Sequence, residues 1–146
     1  MTTNGDVLSD MFSYNFSKEK WEEIALQHSN SSIYSDNFVL ERSNHTLNSF
    51  SKGQCNYHVI FGGVNKKNLA CNELYLLKQK VGENTAIIKI IKDAKGQAPV
   101  ARSHHSSKLI GANQYLLIYG GKNESLYAKT KDITLDDLVV FNFKMN

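Results

Sequence analysis

Residues 101–121, ARSHHSSKLIGANQYLLIYGG, decide the fold class of this chain. A short apolar segment at 108–110 is followed by turn residues at 111–114 and by a second apolar segment at 115–119. Two apolar segments separated by a Gly/Asn turn of this length predict a β-hairpin. The glycine pair at 120–121 closes the hairpin and indicates backbone with positive φ, or a close approach to another backbone.

The same pattern occurs about sixty residues earlier in the chain. Residues 42–45, Arg-Ser-Asn-His, repeat the Arg-x-x-His spacing of residues 102–105. Each copy leads through a predicted hairpin to a glycine pair, at 62–63 in the first copy and 120–121 in the second. A polar loop and an acidic-apolar strand follow each pair. A period of this length lies just above that of propeller repeats, so the recurrence predicts an all-β repeat protein.

At these residues the chain resembles the kelch repeat of β-propellers. In that family, Arg-x-x-His opens the first strand of a blade and Gly-Gly closes the second. A Tyr in the third strand precedes a Trp near the fourth, and Tyr14 and Trp21 have the spacing of that pair. The resemblance therefore implies a structural kelch motif at Tyr14, Trp21, Arg42, His45, Gly62, Gly63, Arg102, His105, Gly120 and Gly121.

The chain departs from the family pattern in the third and fourth strands. Leu77 and Phe141 stand where the family has Tyr, and Ile87 or Ile88 stands where the first copy would have Trp. Each replacement keeps an apolar side chain, so four-stranded blades remain the expectation. Strands are predicted at 10–14, 21–26, 43–50, 57–61, 73–78, 86–92, 103–110, 115–119 and 137–143.

The resemblance implies four-stranded antiparallel blades in an incomplete propeller ring. Residues 1–26 would end one blade, residues 38–92 would form a full blade, and residues 99–146 would form a blade without its last strand. Residues 17–27 are rich in helix formers, so a helix there is the alternative to a strand at 21–26. An incomplete ring exposes two apolar flanks, which soluble proteins rarely tolerate. We therefore expect a longer chain, or other polypeptides, to complete the ring.

Composition excludes several classes of partner. The chain has 17 basic and 14 acidic residues, and the basic residues form no run, so nucleic acid is not an expected partner. No apolar stretch approaches the roughly 18 residues that span a membrane, and the first residues lack the features of a signal peptide. We therefore expect a cytoplasmic protein without membrane contact. Cys55 and Cys71 would be free thiols, with a disulfide or a metal role as the alternative.

The arginines and histidines of the motif resemble a catalytic or metal-binding cluster only superficially. They recur at equivalent positions of both copies, whereas an active site normally occurs once, so we expect a structural role. His58 and His104 have no ligand spacing around them, and the glycine pairs lack the spacing of a phosphate-binding loop. The sequence therefore predicts no catalytic residues, no metal and no cofactor, and the chain is not expected to be an enzyme.

The longest predicted loops follow the glycine pairs and would lie at one end of the propeller. The loop at 122–135 has 14 residues, against 8 in the loop at 64–71. Extra loop length on one face is typical of a binding surface in repeat proteins, and a solvated insertion explains it equally well. The candidate partner-binding residues are Lys66, Lys67, Lys122, Leu126, Tyr127, Lys129 and Lys131.

The resemblance implies a protein–protein interaction module or scaffold that presents loops to a partner protein. Propellers of this kind occur in scaffolds, substrate adaptors and cytoskeletal or ciliary assemblies. The alternative is the non-catalytic propeller region of a larger enzyme, either a kelch-linked phosphatase or a kelch-type oxidase or lyase. The partner would be another protein or the rest of the same propeller.

Overall fold

The computed structural model describes residues 7–28, 40–92, 94–126 and 133–143. In these ranges the protein is all-β, and the only helical element is the 3-10 turn Glu124–Leu126. No helix in the same ranges has the length and apolar character needed to cross a membrane. The strands in chain order are β1 (Phe12–Asn15), β2 (Lys20–Glu23), β3 (Ala25–His28), β4 (Arg42–Ser43), β5 (Thr46–Lys52), β6 (Cys55–Phe61), β7 (Val64–Asn65), β8 (Leu74–Lys80), β9 (Thr85–Ile90), β10 (Ser106–Ile110), β11 (Tyr115–Tyr119) and β12 (Leu138–Asn142).

A five-stranded sheet in the order β3-β9-β8-β6-β5 forms the centre of the fold. Strands β5, β6, β8 and β9 are antiparallel neighbours, and they correspond to the four strands predicted between residues 43 and 92. The first of them begins later than predicted, because Asn44 has a φ of +55° and interrupts the strand. The two residues before Asn44 form β4, which pairs with β7 and places Ser43 opposite Val64.

The N-terminal segment forms a hairpin, in which β1 and β2 place Tyr14 opposite Trp21. Residues 17–27 therefore contain strands, and the helical alternative is wrong. The single strand predicted at 21–26 is also wrong, because it divides at Ile24. Ile24 is buried and donates its N–H to the Met11 carbonyl at 2.9 Å, and beyond it the chain leaves the hairpin. The next strand, β3, pairs in parallel with β9 as the fifth strand of the central sheet.

The hairpin predicted within residues 101–121 is confirmed. Strands β10 and β11 pair antiparallel, from Ser106 opposite Tyr119 to Ile110 opposite Tyr115. Strand β12 pairs with the other side of β11, so the sheet has three strands, as the sequence predicted for this part of the chain. Within the described residues, no strand pairs with the outer edge of β12, and no sheet closes on itself.

The core lies between stacked layers, because alternate side chains of β6 point to opposite faces of the central sheet. One face packs on the three-stranded sheet, and Met11, the residue before β1, packs on the other face. The hairpin and the three-stranded sheet therefore lie on opposite sides of the five-stranded sheet. The cluster toward the three-stranded sheet contains Phe50, Val59, Phe61, Leu74, Leu116, Ile118 and Phe143. The cluster toward the hairpin contains Ile60, Tyr75, Leu77 and Ile88, with Met11, Leu26, Leu40 and Ile90 packed against it.

Candidate protein-interaction site

The arginine of each Arg-x-x-His motif contacts the backbone beside the glycine pair of its own sheet. Arg102 is fully buried, and its Nη1 donates to the Gly120 carbonyl at 3.0 Å. The same guanidinium forms a bidentate ion pair with Asp137, with Nη1–Oδ1 and Nη2–Oδ2 distances of 2.8 and 2.9 Å. These hydrogen bonds, together with the charge of Arg102, lower the pKa of Asp137 below its ordinary value. Arg102 therefore joins the start of its sheet to the end of β11 and the start of β12.

Arg42 repeats this geometry with one difference. Its Nη1 donates to the Gly62 carbonyl at 2.9 Å, but the acidic residue of this copy, Glu73, lies 3.8 Å away. Instead, Nη2 donates to the Tyr75 hydroxyl at 3.0 Å, and the guanidinium carbon lies 4.5 Å from the centroid of the Tyr75 ring. Tyr75 therefore takes over part of the contact that the carboxylate makes in the second copy.

The second copy of the motif also joins the two sheets. The Gly63 N–H donates to the Arg102 carbonyl at 2.8 Å, and the Arg102 N–H donates to the Cys71 carbonyl at 2.9 Å. His104 and Asn44 each have a φ of +55°, and the N–H of His104 donates to the Asn44 carbonyl at 3.1 Å. The Arg-x-x-His backbone of one sheet therefore lies against the loops of the next.

His105 lies at this contact between the sheets. Its Nε2 is 2.9 Å from Thr46 Oγ1, and its ring meets the Phe61 ring edge to face with the centroids 5.3 Å apart. Burial and the nearby charge of Arg102 lower the pKa of His105 from 6.5 to about 4. The pKa of His45, the equivalent residue of the first copy, is lowered by burial and by its own neighbouring arginine. The contact between the sheets therefore favours neutral imidazole.

Acidification is expected to weaken this contact through His105. Its pKa of about 4 in the folded chain lies below the ordinary value of 6.5, so its contribution is fully present above pH 6.5 and is lost as the pH falls toward 4. Over this range, the free energy of unfolding should fall by about 3 kcal/mol more in the wild type than in a His105→Gln variant. Chemical denaturation at a series of pH values measures the difference, with the exposed His28 changed to Gln as the matched control. Parallel pH profiles of the wild type and His105→Gln would contradict this role.

The outer face of the three-stranded sheet carries an exposed apolar surface. This surface, called the open flank, consists of Ile110, Tyr119, Leu138 and Val140, which are between 42% and 61% exposed. Their side chains point away from the five-stranded sheet, because the residues that alternate with them on β11 and β12 pack toward it. Contiguous exposed apolar surface of this kind marks a binding site more often than an isolated exposed residue does.

The open flank occupies the position of a surface that is covered in the five-stranded sheet. Ile110 lies opposite Tyr115 in the way that Phe50 lies opposite Tyr57. Tyr119 and Phe61 occupy equivalent positions because each directly precedes a glycine pair. Leu138 and Leu74 are equivalent because each directly follows the acidic residue before the third strand of its sheet. The covered counterparts of Ile110, Tyr119 and Leu138 are thus Phe50, Phe61 and Leu74, which are at most 9% exposed. The three-stranded sheet is the layer that covers them, whereas no layer formed by described residues covers the open flank.

The opposite end of the stack exposes aromatic side chains. This group, called the aromatic surface, consists of Phe12, Tyr14, Phe16 and Trp21, all of them exposed. The centroid of the Tyr14 ring lies 5.3 Å from that of Phe16 and 5.2 Å from that of Trp21, and both contacts are edge to face. Contacts of this geometry hold aromatic rings in defined positions. The described stack of sheets is therefore apolar at both ends.

The loop residues that the sequence singled out are only partly described. Lys66 and Lys67 follow β7 and are exposed, whereas Lys122 and Leu126 are half-buried. Lys66 and Lys122 each form an ion pair with a glutamate, at 3.3 and 2.7 Å respectively. The remaining three predicted residues lie outside the described ranges: Tyr127, Lys129 and Lys131.

The described residues contain no group of three or more His, Cys, Asp or Glu side chains placed to hold a metal ion. Both Cys55 and Cys71 are free thiols, and burial raises the pKa of Cys71. A scan against protein-family models and a search of curated proteins found no match for this chain. The geometry of the sheets and of the open flank is therefore the basis for interpreting its function.

Proposed function

We propose that the chain is a segment of a kelch-type β-propeller that acts as a protein interaction module in the cytoplasm, without catalysis of its own. The recurrent contacts of Arg42 and Arg102 support the propeller assignment. Each arginine donates to a carbonyl of its glycine pair, at 2.9 and 3.0 Å, and each lies beside the acidic residue that precedes the third strand of its sheet. In this interpretation, residues 38–92 are one blade and residues 99–146 are the next.

The open flank is the single observation that carries the interaction function. Its apolar side chains occupy positions whose counterparts in the five-stranded sheet are buried under another sheet. The flank is therefore suited to contact another β-sheet layer. Fully burying an aliphatic or aromatic side chain contributes roughly 1.5–3 kcal/mol. These side chains are already about half covered by their own sheet. Half of that contribution from each of four residues amounts to about 3–6 kcal/mol in favour of association. The partner is therefore a protein that presents an apolar sheet face.

A photo-crosslinking experiment tests this function. A photoreactive phenylalanine analogue is placed at Leu138 of the open flank, and in a matched control at Val81, which is equally exposed in the turn between β8 and β9. In extracts of the source cells, irradiation should produce a discrete protein adduct from position 138 and none from position 81. If the adduct contains a different protein, excess unlabelled chain should suppress it and excess Val140→Asp chain should not. Equal adduct patterns at both positions, or none at either, would refute the proposal.

A further inference from the structure

We infer that the open flank binds the aromatic surface of a second copy of this chain, so that copies stack head to tail. The inference rests on the proposed interaction function and identifies its partner. The aromatic surface faces outward at one end of the stack of layers, and the open flank faces outward at the other. A second copy placed as a continuation of the stack therefore brings one surface against the other.

The charges on the two surfaces are complementary. Lys108 lies on the outer face of β10, two residues before Ile110, and is exposed. Glu23 lies opposite Phe12 in the hairpin, on the same face as Trp21, and is also exposed. Neither side chain forms an ion pair within the described residues. The flank thus offers one lysine beside apolar side chains, and the aromatic surface offers one glutamate beside rings.

The packing inside one chain provides a precedent for this contact. Met11, the residue before β1, packs on the cluster around Tyr75 and Leu77 on one face of the five-stranded sheet. Ser13 and Glu22 of the hairpin are half-buried on the same side as Met11, and the aromatic rings lie on the other side. A contact between two different patches is heterologous, so copies joined in this way form a closed ring or an open filament. The inferred interface accordingly needs both surfaces on every copy.

Charge reversal of each surface tests the inference on the purified 146-residue chain. Sedimentation velocity over a range of concentrations should show reversible association of the wild type. Lys108→Glu and Glu23→Lys should each weaken it by about tenfold or more, because each variant brings like charges together. An equimolar mixture of the two variants should associate as the wild type does, since every interface then joins opposite charges. Both residues are exposed, so we expect each variant to fold as the wild type does. Thermal unfolding of each variant checks this and separates loss of association from loss of folding.

Three results would overturn the inference. The chain could remain monomeric at all concentrations, the two charge reversals could leave association unchanged, or mixing the variants could fail to restore it. Failure of the sedimentation experiment can be distinguished from failure of the crosslinking experiment. If Leu138 crosslinks to a different protein while the purified chain stays monomeric, the interaction function stands and the second copy is excluded as its partner. An adduct between two copies of the chain would instead support both.

Discussion

Replacement of Gly62 by alanine is expected to lower the free energy of unfolding by about 2–5 kcal/mol. Gly62 has a φ of +66°, and a Cβ there would lie 2.6 Å from the Arg102 carbonyl oxygen and 2.8 Å from Cε1 of His105. The left-handed conformation costs an L-residue about 1–2 kcal/mol. Crowding in a well-packed interior adds about 1–3 kcal/mol. The carbonyl can move away only if the two sheets separate, so we expect the loss to lie toward the upper end.

A matched glycine separates the two contributions. Gly53 has a φ of +60°, but a Cβ there would meet no atom within 4 Å. Gly53→Ala therefore carries only the conformational cost, about 1–2 kcal/mol. At Gly120 the nearest atom to the added Cβ would be the Leu135 carbonyl oxygen at 3.3 Å, so its loss should fall between the other two. Urea denaturation followed by far-UV circular dichroism measures all three. Equal losses at Gly53 and Gly62 would show that Gly62 does not lie against the neighbouring sheet.

Local sequence was sufficient to predict the hairpins. The apolar segment 115–119 and the Gly/Asn turn before it define β11 without reference to the rest of the chain. The pairing of Tyr14 with Trp21 likewise depends only on a short turn between two strands. The position of β3 could not be predicted in this way, because Ala25 pairs in parallel with Thr85. No local pattern encodes a contact between residues so distant in the chain.

Local sequence also could not predict which residues of the candidate site are exposed. Tyr119 and its counterpart Phe61 are both large and apolar, yet one is exposed and the other buried. The difference depends on which layer covers the sheet, and the composition of a strand does not record this. The Arg-x-x-His spacing predicted a structural role for His105, but its contact with Thr46, 59 residues away, is visible only in the folded chain. Aligning the two copies position by position identifies Tyr119 as the equivalent of Phe61, but it does not show which of the two is covered.

Replacement of Arg102 by methionine is expected to lower the free energy of unfolding by about 3–5 kcal/mol, because the buried guanidinium's hydrogen bonds to two carbonyl oxygens and a carboxylate are all lost. Methionine fills much of the same volume, so the loss reflects polar contacts more than a cavity. The carbonyl oxygens of Gly120 and Val100 would each lose a hydrogen bond from the guanidinium, at 3.0 Å in both cases. Asp137 is half-exposed, so water can replace the guanidinium as its hydrogen-bond donor, which reduces the loss of stability. Equilibrium denaturation at neutral pH measures the change.

Two further variants distinguish the ion pair from the arginine's contacts with the backbone. Asp137→Asn keeps the shape of the acidic side chain but leaves the buried guanidinium without its counter-charge, so it should cost about 1.5–3 kcal/mol, typical of a hydrogen bond between charged groups. Arg102→Lys keeps a charge but cannot contact two carbonyls and a carboxylate together, so it should recover less than half of the loss. In Arg102→Met, an NMR titration should also show the pKa of Asp137 rising toward its ordinary value of 3.8, because the arginine that lowers it is gone. If Asp137→Asn costs as much as Arg102→Met, the carboxylate and not the backbone contact is the main partner of the arginine.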